Sequence, residues 1–184
     1  MFIQTEATPN PLTLKFIPGV PVMKEGTLFY INAEQAKASP LALSLFAIQG
    51  VRAVFFGSDF ITITKDEASH WEALKPMLLT GIMDHFVAGK PVVMEKPAGA
   101  PSEGTGEESE LVKQIRELID TRVRPAVAAD GGDIIFRGFA DGIVSLELHG
   151  ACSGCPSSTV TLKNGIENML KHYVPEVVAV EAVA

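Results

Sequence analysis

The stretch Ile143-Val144-Ser145-Leu146-Glu147-Leu148-His149-Gly150-Ala151-Cys152-Ser153-Gly154-Cys155-Pro156 decides how the C-terminal half of this chain is read. Residues 143–148 alternate apolar with polar or small side chains, the pattern of a half-buried strand. Downstream, Leu162, Ile166, Met169, Leu170 and Tyr173 recur at helical spacing. Pro156 suits a first helical position, where a missing N–H costs nothing. Ser157, Ser158 and Thr159 can serve the open N–H groups of the first turn. The spacing therefore predicts strand, loop and helix, with Cys152 and Cys155 in the loop. A helix N-terminus favours the thiolate form, which is both nucleophile and metal ligand.

Those two cysteines are the only ones in 184 residues. A tetrahedral zinc site or an iron–sulfur cluster takes four protein ligands, commonly thiolates. Either a second chain supplies the missing pair, or other residues help, or the pair is a dithiol switch. A structural disulfide this short closes a tiny loop and stabilises little. His149, three residues before Cys152, is a candidate third ligand; the sequence reads it rather as the solvent-exposed end of the strand. His172 falls late in the helix, where a cation suits the dipole.

Outward from this motif, the pattern gives helix, strand, strand, helix, strand. Leu111, Ile115, Leu118, Ile119 and Val123 form one helical stripe. Residues 134–139 and 143–148 read as strands, and residues 176–183 as the last strand. Asp130-Gly131-Gly132-Asp133 reads as a turn, its carboxylates bonding local backbone; two carboxylates alone make a poor calcium site.

A Pro/Gly/Ser-rich stretch at 89–108 separates this part, 109–184, from a first domain at 1–88. There, Leu12, Leu14 and Phe16 alternate as a strand ended by Pro18-Gly19. Ser39-Pro40 opens a helix that Gly50 closes. Residues 51–56 and 60–64 form a hairpin around Gly57-Ser58-Asp59, and Trp71, Leu74, Leu78, Ile82 and Phe86 mark a helix that Pro76 should kink or begin. The expected fold class is α+β: two small domains, each a mostly antiparallel sheet packed by helices, joined by a flexible linker.

The composition, 47% hydrophobic and 20% charged, is that of a globular protein, and the net charge of −7 speaks against sequence-independent nucleic-acid binding. No apolar run reaches the roughly 20 residues of a membrane span. Met1-Phe2-Ile3-Gln4-Thr5-Glu6 has neither the look of a signal peptide nor the Arg-rich character of a transit peptide. The expectation is a bacterial cytoplasmic protein; a mitochondrial matrix counterpart would need a transit peptide. No phosphate-binding loop, G-x-S-x-G or H-E-x-x-H motif occurs.

The second domain resembles the NifU C-terminal, or Nfu, domain through Arg124-Pro125, Asp130-Gly131-Gly132-Asp133, Gly150-Ala151-Cys152-Ser153-Gly154-Cys155-Pro156-Ser157-Ser158, Thr161-Leu162-Lys163 and Ile166-Glu167. The first resembles the Nfu N-terminal domain through Thr8-Pro9-Asn10-Pro11, Leu14-Lys15-Phe16, Pro18-Gly19, Ser39-Pro40-Leu41-Ala42, Gly50-Val51, Asp59-Phe60-Ile61-Thr62 and Leu74-Lys75-Pro76. The resemblance implies an iron–sulfur cluster scaffold or carrier rather than an enzyme. It implies a [4Fe–4S] cluster bridging a homodimer on Cys152 and Cys155 of each subunit. It further implies apo iron–sulfur client proteins and upstream cluster assembly proteins as partners. A thioredoxin-like dithiol oxidoreductase, from which the expected surrounding βαβ pattern is missing, and a zinc-bridged structural dimer are the alternatives.

Overall fold

The computed structural model describes residues 2–94, 109–153 and 156–183 of the chain. The chain divides into two compact units, residues 1–100 and 101–184.

The first unit carries a five-stranded sheet in the order β1-β2-β5-β4-β3, every pairing antiparallel. Its strands are β1 (Gln4–Ala7), β2 (Thr13–Ile17), β3 (Leu28–Tyr30), β4 (Val51–Phe56) and β5 (Ile61–Lys65). Helix α1 (Pro40–Phe46) and helix α2 (Trp71–Val87) bury Leu41, Leu45, Leu74, Leu78 and Ile82 against Phe16, Val54, Phe56, Ile61 and Ile63. Ser39 caps α1: its Oγ accepts from the Ala42 N–H at 3.1 Å, and Pro40 opens the helix as expected. The β4–β5 hairpin forms at the anticipated Gly57-Ser58-Asp59, where the Gly57 N–H bonds Phe60 O at 2.9 Å. Pro76 falls in the second turn of α2, and the helix runs on through it for 17 residues in all. The edge strands β1 and β3 carry no alternation strong enough to be anticipated.

Past α2 the chain stays attached to this unit. Ser39 Oγ donates to Val92 O at 2.6 Å, and the Met94 N–H bonds Ala38 O at 2.7 Å. Val92 packs against the same core.

The second unit follows the anticipated order. Helix α3 (Glu110–Leu118) runs through a π-helical turn at Ile119–Val123 into helix α4 (Arg124–Ala129). Pro125 explains the wide turn: it cannot donate to the carbonyl four residues back, and its ring crowds that carbonyl. Strands β6 (Gly132–Ala140) and β7 (Ile143–Gly150) pair antiparallel around Asp141-Gly142, both at positive φ, the turn that matches strand twist. Helix α5 (Pro156–Tyr173) begins at the expected proline and crosses over to β8 (Ala179–Val183), which pairs parallel with β7. The sheet order is β6-β7-β8. Ile115, Ile119, Val123, Val127, Ile166 and Leu170 from the helices close over Ile134, Val144, Leu146 and Val180. The β7–α5–β8 crossover corrects the expectation that no βαβ pattern surrounds the cysteines.

Candidate functional site

The loop leaving β7 brings Cys152 to the start of α5. Gly150 ends the strand at φ +65°, a left-handed conformation that turns the chain out of the sheet and is strained for any residue with a Cβ. The Ala151 N–H bonds Gly131 O at 3.2 Å, and the Ser153 N–H bonds Gly150 O at 3.1 Å. Thr159 Oγ1, from the first turn of α5, reaches Cys152 O at 3.4 Å. These bonds hold the loop to the β6 entry on one side and to the helix on the other. Cys155 and Gly154 lie outside the described residues, as do the side chains of Ser157 and Ser158 that the sequence proposes as caps.

Cys152 is a free thiol and is buried at 7% exposure, packed in the core of its unit. Burial, then the nearby Asp130 and Asp133, pushes its thiol up to about 12. That direction runs against the expectation drawn from the helix dipole, because dehydration and the two carboxylates all disfavour the thiolate. A bound metal ion would displace the thiol proton.

Asp133 is corrected in part. Its local backbone bond, to the Ile134 N–H, is there as expected, but the residue lies on β6 at 3% exposure and also joins α4 to the sheet. Arg124 donates to it twice, Nε to Oδ1 at 2.8 Å and Nη2 to Oδ2 at 2.9 Å. The Ile134 N–H adds a third bond to Oδ1 at 2.8 Å. Arg124 Nη1 reaches Asp120 at 3.3 Å. The paired carboxylates raise the guanidinium's affinity for its proton. His149 is corrected too. Its side chain is 12% exposed, and Nε2 stands 2.7 Å from Glu147 Oε1, so it does not end the strand in solvent. Arg137 bonds the other carboxylate oxygen of Glu147. Among the described residues, no three His, Cys, Asp or Glu side chains gather into a metal-ligand set.

Gly132 and Arg124 are the site residues that residue-by-residue reading missed. A Cβ on Gly132 would lie 2.8 Å from Cys152 Sγ and 2.8 Å from His149 O, so the sulfur rests where a side chain would be. The signal for both lay in the motif residues Arg124-Pro125 and Asp130-Gly131-Gly132-Asp133, which local turn chemistry does not interpret.

A thiol pair between a strand and a helix, in an α+β unit preceded by a second such unit, defines the class. Residues 3–89 match the family model for the N-terminal domain of scaffold protein Nfu/NifU, and residues 115–181 match the NifU-like domain. The chain belongs to the Nfu/NifU family. It is 55% identical, over its whole length, to the human "NFU1 iron-sulfur cluster scaffold homolog, mitochondrial", of which it covers 72%. It is 53% identical to the Drosophila virilis protein of the same name, of which it covers 62%. The chain thus spans well short of the full length of these relatives. A solution structure of the NifU-like protein from Saccharomyces cerevisiae aligns with 52% of this chain and 87% of that one, at 28% identity and a TM-score of 0.47. No described helix is long and apolar enough to cross a membrane.

Proposed function

We propose that two copies of this chain hold one [4Fe–4S] cluster between them, each supplying Cys152 and Cys155, and pass it to apo-proteins. The observation that carries the reading is the chain's single thiol pair, with Cys152 placed between β7 and α5 of a NifU-like domain. Two thiolates from each of two chains make the four that a cubane cluster takes. The relatives named as iron–sulfur cluster scaffolds supply the chemical class. The cluster is cargo, so the protein is a carrier and not an enzyme. Its partners are upstream cluster assembly proteins and apo iron–sulfur clients. A cluster shared by two chains through few ligands suits handover, because incoming thiolates can replace departing ones.

The dithiol-oxidoreductase alternative requires an accessible nucleophilic thiol, and the burial of Cys152 weighs against it. The first unit carries no cysteine and takes the role of partner recognition. The working compartment is one that keeps thiols reduced. The test is anaerobic reconstitution with iron and sulfide, then transfer to an apo-client in the presence of a chelator. A brown protein that activates the client supports the reading; colourless protein retaining zinc removes it.

A further inference from the structure

The carrier reading leaves the burial of Cys152 unexplained, and the next inference rests on that reading. We propose that Cys152 is a gated ligand: in the cargo-free chain its sulfur is seated on Gly132, and it leaves that seat to reach a shared cluster.

The seat is geometric. Cys152 Sγ lies 2.8 Å from the position a Gly132 Cβ would take, closer than real Cβ contacts come, so only glycine leaves the sulfur this place. On its other sides the thiol belongs to the buried cluster that includes Ile134, Val144 and Ile166. A thiolate bonds a metal at about 2.3 Å, a contact made along a free lone-pair direction of the sulfur. A sulfur turned into the core of its own unit offers little of that direction to a second chain. The loop backbone is anchored on both flanks, by Ala151 to Gly131 and by Thr159 to Cys152 O. Delivery therefore needs a local change, a side-chain rotation with a small loop shift, and no unfolding of the sheet. Thr159 makes the longer of these bonds, at 3.4 Å, and is the tether that yields. Gly132 is the positioning residue in this account: it touches no cargo and sets how firmly the sulfur is held inside.

Gly138 supplies the control. It lies on the same strand, and a Cβ there would meet nothing within 4 Å. The experiment is alkylation of Cys152 by iodoacetamide in an iron-free Cys155→Ser chain, followed by mass. The native chain should react roughly a hundredfold more slowly than the same chain in concentrated urea, as a locally closed site does. Gly132→Ala should speed labelling by roughly tenfold with the circular dichroism of the fold retained, and Gly138→Ala should leave it unchanged. Native labelling as fast as in urea overturns the seat, and that result stands even where Gly132→Ala fails to fold. In the chain with both cysteines, the rate of cluster formation should reach a ceiling as iron and sulfide are raised, and Gly132→Ala should lift it. A rate that climbs without a ceiling overturns the gate. Protected Cys152 in a chain that takes up no cluster would instead remove the carrier function and leave the seat standing.

Discussion

Cys152 and Cys155 carry different consequences from Gly132, Arg124 and Asp133, and substitutions separate them. Cys152→Ser and Cys155→Ser should each abolish stable cluster binding, because a symmetric dimer carries the change twice and loses two of four ligands. Their circular dichroism should match the parent's; full iron occupancy in either variant would show other ligands dominating. Arg124→Leu acts on the fold. It takes both guanidinium hydrogen bonds from the buried Asp133 carboxylate, and should cost about 2 kcal/mol in urea unfolding, toward the low side for a broken buried pair since Arg124 is partly exposed. Glu147 gives the pH prediction. Burial works to raise its pKa, but hydrogen bonds from His149 and Arg137 outweigh that and hold it below the ordinary 4.5. A carboxylate depressed in the folded state stabilises above its unfolded value and loses that contribution as pH falls through the folded one. Stability should therefore decline below pH 4.5, and Glu147→Gln should flatten that decline in urea midpoints measured against pH. The thiol pair was legible in the sequence because its spacing is local. Arg124 and Asp133 were not, because they are nine positions apart on different elements and meet only when α4 packs on β6.

At the scale of elements, the regular pieces were readable where a period or a breaker marks them. Helix α5 begins at Pro156, α1 follows Ser39-Pro40, and the Asp141-Gly142 turn sits between two alternating runs. The π-turn at Ile119–Val123 was hidden, since the apolar stripe continues through it and only Pro125 betrays the interruption. Strand β3 was hidden because three residues make no pattern; tertiary pairing with β4 creates it. Helix α5 offers its own test. Gly165 lies inside it, and a Cβ there meets nothing within 4 Å. Gly165→Ala should raise stability by about 0.5–1 kcal/mol through helix propensity. A higher melting temperature with weaker dimerisation would place Gly165 in a close contact between copies.

At the scale of the whole molecule, the chain forms two units, and the first extends past the point where its last helix ends. Val92 and Met94 bond back to the residues before and at the start of α1. A first domain ending at Met94 should therefore melt higher than one ending at Ala88, and neither should bind iron. The second domain from Ser109 should keep cluster binding. Equal client preference by the full chain and by that domain would remove the recognition role of the first. The central claim is that one cluster is shared by two chains, and native mass measurement of the anaerobically reconstituted full chain, with iron and sulfide analysis, tests it most directly. The expected result is a dimer carrying about four irons and about four sulfides, the content of one cubane cluster on four thiolates. A monomer carrying that cluster alone, or a dimer holding zinc and no sulfide, would contradict it.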